Sequence, residues 1–168
     1  AVRGVPLLVL AFFIYFGLPQ GIKALGFTNF RLTALQAGVI ALSMNCGAYM
    51  AEIIRAGIES VDKGQMEAAR SLGLPYGTSM RRVVLPQAIR TMIPSIINQF
   101  IITLKDTSIL SSIGFPELTN TGKTVASNTM NLIGTWAVIA LFYLVVITIL
   151  SKLAKYMERR IKRGTEKY

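Results

Sequence analysis

Four stretches of the chain run almost free of charge, over residues 5–19, 32–51, 88–108 and 132–151, and polar or charged segments separate them. A helix crossing a hydrocarbon core of about 30 Å needs about 20 mostly apolar residues, because each residue advances about 1.5 Å. The first stretch is short and closes at Gly17-Leu18-Pro19. The second has adequate length. The third is the weakest, interrupted by Arg90 and Pro94. The fourth is the cleanest, with Trp136 near its start and Lys152 just past its end. That pair suits an aromatic anchor at one interface and a basic anchor at the other. The expected fold class is all-α, a polytopic membrane helix bundle of about four transmembrane helices forming one domain over 1–168.

Composition agrees with this pattern. Of 168 residues, 52% are hydrophobic and only 15% charged, with a mean hydropathy of +0.52. Soluble domains carry about 25% charge. Disorder, which needs low hydrophobicity, is excluded. Cys46 is the single cysteine and there is no histidine. A disulfide framework, a histidine-based zinc site and a histidine catalytic dyad are thus absent from this sequence. The sequence begins at Ala1 and turns apolar at Val5 with no signal-peptide pattern, so we expect a piece of a longer protein.

The net charge of +10 maps to topology. Arg3 precedes the first stretch. Arg55, Lys63, Arg70, Arg81, Arg82 and Arg90 follow the second. Lys152, Lys155, Arg159, Arg160, Lys162, Arg163 and Lys167 follow the fourth. These are 14 of the 18 basic residues, and with four spans they share one side; Lys23, Arg31, Lys105 and Lys123 fall on the other. The positive-inside rule makes the rich side cytoplasmic, including the C-terminus. Basicity is explained without nucleic acid, and the tail, 152–168, reads as an anchor to anionic membrane lipid.

The cytoplasmic segment 53–87 is more than a linker. Asp62-Lys63-Gly64-Gln65 has the spacing of a capping box, opening a helix over Lys63–Leu72 that stops at Gly73 in a left-handed turn. Pro75 suits the first turn of a second short helix. Met80, Val83 and Val84 give that helix an apolar face, with Arg81 and Arg82 elsewhere. Pro86 is expected to break it and open the next. The result is a helix–turn–helix elbow at the cytoplasmic surface, suited to docking a partner.

Glu67-Ala68-Ala69, Gly73 and Val83-Val84-Leu85-Pro86 together resemble the EAA loop of permease subunits in bacterial ABC importers, a MetI-like permease fold. Valine takes the place of the family's isoleucine. Arg3-Gly4-Val5-Pro6-Leu7-Leu8, Gly47-Ala48-Tyr49-Met50-Ala51-Glu52-Ile53 and Lys105-Asp106-Thr107-Ser108 are similar to the polar amino-acid branch. The resemblance covers nearly the whole chain; relatives carry one more span at the N-terminus. It implies a subunit of the bacterial cytoplasmic membrane that pairs with a second permease subunit, identical or different. It also implies an external solute-binding protein and an ATPase subunit docked on Glu67, Ala68, Ala69, Gly73, Val83, Leu85 and Pro86. No phosphate-binding G-x-x-x-x-G-K-[ST] loop is present. This chain is then non-catalytic and without cofactor, ATP and Mg being used by the partner.

Polar residues within spans face a bundle interior. Gln99, Thr103 and Asp106 fall on one stripe at i, i+4 and i+7; Asn45, Tyr49 and Glu52 repeat the spacing, and Gln36 with Ser43 makes a second stripe. For an amino-acid solute, glutamine-like by the resemblance, Asp106 suits the ammonium, Lys105 the carboxylate, and Gln99 and Asn45 an amide. Lys105 and Asp106 equally suit a mutual boundary pair. The rival functions are a stand-alone channel or secondary carrier, which leaves the elbow unexplained, and a scaffold, which leaves the stripes unexplained.

Overall fold

The computed structural model describes residues 4–27 and 29–163, with side chains to residue 158. Arg3 and the end of the expected tail, 164–168, lie outside the described residues. The helices are α1 (Leu7–Ala24), α2 (Ala34–Glu59), α3 (Lys63–Ser71), α4 (Tyr76–Ser79), α5 (Leu85–Asp106), α6 (Leu118–Thr129) and α7 (Leu132–Arg163). A 3-10 helix, Thr107–Ile113, follows α5 directly. The chain divides into two compact units, Ala1–Ala48 with Phe100–Leu150, and Tyr49–Gln99 with Ser151–Tyr168.

In the first unit, Leu7, Leu10, Ala11 and Ile14 of α1 form a core with Ala37 and Ala41 of α2 and with Leu110 and Ile113 of the 3-10 helix. The small α2 residues make this possible. A side chain at Gly38 would run into the Phe115 ring and crowd Leu110. Outward-facing residues are also apolar: Phe13, Val39, Ile133, Leu141 and Leu144 are all exposed. An apolar exterior around self-satisfied helices is what a bilayer demands. Among the described residues, three helices are long and apolar enough to cross: Leu7–Ala24, Ala34–Glu59 and Leu132–Glu158. The expected span at 88–108 is not among them. Its helix ends at Asp106, and Arg90, Asn98, Gln99 and Lys105 keep it amphipathic.

Two proline expectations are corrected. The first span does not end at Pro19, and the elbow helix does not break at Pro86. At both sites a widened π turn comes first, Phe13–Gly17 before Leu18-Pro19 and Met80–Val84 before Leu85-Pro86. The Leu18 N–H donates to the Phe13 carbonyl and the Leu85 N–H to the Met80 carbonyl, each five residues back. A proline ring collides with the carbonyl four residues back in a regular helix, and widening the preceding turn is how the chain continues. Residues 76–106 therefore form one unbroken helical rod.

One more expectation is corrected, and two segments carry structure that the sequence reading did not specify. The second span does not stop at 51 with a loop from 53. The α2 helix runs on to Glu59, since Glu52, Arg55 and Glu59 end an apolar run without ending a helix. The basic tail is helical up to Arg163, continuous with the last span. The segment between α5 and α7, with no element expected, holds the 3-10 helix and α6. The carboxylate of Glu117 caps α6 by accepting from the N–H groups of Thr119 and Asn120.

Candidate functional site

All the elbow residues lie in the second unit. Asp62 caps α3, its Oδ1 accepting from the Gly64 N–H at 2.6 Å. The reciprocal half of the expected capping box is not made. Gln65 Oε1 instead accepts from Gln87 Nε2 at 3.1 Å, and the same nitrogen donates to the Val83 carbonyl at 3.0 Å. Gln87 so ties the start of α3 to the foot of α5. The reciprocal box occurs elsewhere, at the start of α2. There the Thr33 N–H donates to Gln36 Oε1 at 3.0 Å and the Gln36 N–H to Thr33 Oγ1 at 3.2 Å. Gln36 thus serves a cap rather than a polar stripe.

Gly73 has φ of +84°. Its N–H donates to the Arg70 carbonyl at 2.9 Å, and the Leu74 N–H to the Ala69 carbonyl at 3.3 Å. This is a Schellman stop, which requires a left-handed residue at that place. Pro75 precedes α4 as its cap residue. Helix α3 packs back on α4 and the π turn.

The Glu67-Ala68-Ala69 triplet divides between two faces. Ala69 is buried, as is Val84; Glu67 and Ala68 are exposed. Gly73 and Pro86 are exposed, and Val83 and Leu85 half-buried. The elbow tip carries two large apolar groups in the open, Leu72 at 83% exposure and Tyr76 at 57%. Ser79 is the inner pin. It has no exposed surface, and its Oγ donates to the Pro75 carbonyl at 3.2 Å. Nothing in its immediate sequence marks a serine as buried, and sequence reasoning missed it.

The candidate solute residues spread over both units. Asn45 is buried in the first, and Gln99 is buried in the second. Tyr49, one turn from Asn45, is exposed, so that stripe does not share one environment. Thr103 and Asp106 are half-buried and Lys105 is exposed. Lys105 lines a cavity of about 440 Å³ with Ser108, Ala140, Tyr143, Leu144 and Ile147. Sequence reasoning also missed a polar link in this unit. Tyr143 Oη donates to Glu117 Oε2 at 3.0 Å, joining α7 to the cap of α6.

The chain matches the family of binding-protein-dependent transport system inner membrane components over residues 1–163. It belongs to that family. Members similar to it include the probable glutamine ABC transporter permease protein GlnM of Bacillus subtilis (strain 168). That protein is 42% identical over 163 residues, covering 97% of this chain and 72% of the relative. The glutamine transport system permease protein GlnP of Escherichia coli (strain K12) is 39% identical, covering 96% and 71%. The arginine transport system permease protein ArtQ of B. subtilis (strain 168) is 39% identical, covering 95% and 70%. Among solved structures, that of an amino acid ABC transporter with histidines superimposes with a TM-score of 0.86 at 45% identity, over 95% of this chain and 71% of that one. The MetNI methionine ABC transporter in an inward-facing form reaches 0.77 at 16% identity, covering 95% and 70%, a likeness of fold alone. The family's all-helical inner-membrane fold is the one this chain adopts.

Proposed function

We propose that this chain is the non-catalytic, membrane-spanning subunit of an ATP-driven importer for a polar amino acid, glutamine-like in character. The names of its relatives support the solute class. The observation that carries the mechanism is the elbow. Glu67 and Ala68 on α3 and Gly73 just past its end are exposed, and α3 packs on α4 and the π turn at the start of the helical rod 76–106. An ATPase subunit docked there moves the rod through the packing of α3 on α4 and the π turn across the Gly73–Pro75 corner. Closure of two ATPase subunits on ATP then rocks packed helices, alternating access to the solute. ATP and Mg belong to that partner. A second permease subunit completes the path, an external binding protein delivers solute, and lipid surrounds α1, α2 and α7. The elbow and the C-terminal helix share the cytoplasmic side, as the basic asymmetry indicates, with α5 crossing as an amphipathic span that keeps its polar residues toward the bundle interior.

The test is uptake by vesicles holding the complete complex, with internal ATP and the binding protein each supplied or withheld. Uptake that needs both supports the proposal. Uptake without nucleotide makes the chain a carrier, and no uptake under any condition makes it a scaffold.

A further inference from the structure

The elbow carries a second recognition feature on the side of α4 and the π turn. Pro75, Gly77, Thr78, Arg81 and Arg82 line an open concavity of about 560 Å³. Both guanidinium groups are on exposed residues, and no acidic residue lines the concavity. A Cβ at Gly77 would meet nothing within 4 Å. Resting on the docking reading above, we propose that this concavity receives a carboxylate side chain of the ATPase subunit, held between Arg81 and Arg82.

Arginine's planar fork matches a carboxylate in a two-point contact, and a paired fork makes a directional socket rather than a diffuse positive field. Surroundings favour a protein over a lipid headgroup. The exposed Leu72 and Tyr76 adjoin this stretch in sequence, and arginine with exposed aromatic and aliphatic anchors is the composition of protein interfaces. The elbow as a whole, 62–87, holds four basic residues, Lys63, Arg70, Arg81 and Arg82, against two acidic ones, Asp62 and Glu67. Its complement is an acidic surface. The socket also gives the elbow a polarity. Glu67 presents negative charge from α3 and Arg81 with Arg82 present positive charge from the following helix, so a partner must offer both signs in order.

The assembled importer tests this, with the affinity of the ATPase subunit for the membrane component measured at low and at high salt. For Arg81→Gln with Arg82→Gln we expect affinity at low salt to fall on the order of tenfold or more, with a flatter salt dependence. Arg81→Lys with Arg82→Lys should keep the salt dependence and recover only part of the affinity, because the charge stays and the fork is lost. Unchanged affinity and salt dependence in the glutamine pair, while Gly73→Val still releases the ATPase, overturns the socket and leaves the docking reading intact. If neither release occurs, the docking reading falls with it. If the glutamine pair keeps its ATPase but no longer retains phosphatidylglycerol in mass spectra of the intact complex, the concavity holds a headgroup and the proposal is overturned.

Discussion

Replacing Gly73 by valine isolates one physical effect at the elbow. A Cβ built at this position meets nothing within 4 Å, so the first cost of a side chain here is the backbone conformation. At φ of +84° a β-branched residue carries strain of about 1–3 kcal/mol. The chain escapes the strain by leaving the left-handed region, which breaks the bonds from the Gly73 and Leu74 N–H groups to Arg70 and Ala69. At about 0.5–1.5 kcal/mol each, those bonds are worth about as much as the strain. Neither term wins clearly, so the variant divides between a strained correct elbow and a relaxed misaimed one. Apparent affinity for the ATPase falls by the fraction misaimed. Gly73→Asn, whose short side chain tolerates the left-handed region, is the control. The assay is retention of the ATPase subunit on purification, followed by uptake, at matched membrane levels. We expect valine to lose about half of both, and asparagine to stay near wild type. Equal behaviour of the two variants, whether both intact or both defective, would refute the conformational reasoning.

Three further outcomes are expected. Single cysteines at Thr78 and Thr124 should label from opposite faces of sealed vesicles, and labelling from one face would refute the assigned topology. Asp106→Asn should weaken uptake with assembly intact, seen as a raised half-saturation concentration; unchanged kinetics would return Asp106 to a boundary role. A side chain at Gly122 would collide with Ile139 across α6 and α7. Gly122→Ala should therefore lower the melting temperature of the detergent-solubilised subunit by a few degrees, with overpacking costing about 1–3 kcal/mol, and Ile139→Val should restore part of it.

What the sequence made legible is the chemistry that acts over four or five residues. Asp62 as a cap, Gly73 as a left-handed stop and Pro75 as the start of the next helix follow from side-chain and backbone properties read in place. The long apolar runs were equally readable, because hydropathy needs no partner. Helix ends inside charged text were not. Glu52 and Arg55 mark departure from a hydrocarbon environment, which is a statement about solvent, whereas α2 continues wherever hydrogen bonds can continue. Helix α6 was invisible for another reason. Its sequence, rich in threonine with Gly122 at its centre, is a poor helix former by propensity. It stands on its Glu117 cap, a local signal that was not read, and on packing against Ile139, which is not local. For the candidate solute residues, spacing placed Asn45 and Tyr49 on one stripe, but the buried asparagine and exposed tyrosine depend on neighbours from other helices.

The π turn at Met80–Val84 also resets the phase of the elbow. Ser79 and Val84 are both buried though five residues apart, while Val84, Ala88 and Met92 follow at intervals of four. In a regular α-helix a step of five rotates the second side chain about 140° away from the first. The wide turn absorbs one residue, so the docking half and the rod present the same buried edge despite a mismatch in count. Removing one residue from 80–84 lets that turn relax to an ordinary one with the buried edge still aligned. Removing one from 88–98 rotates everything beyond it by about 100°. In this region the chain can change length without changing its helical bearing.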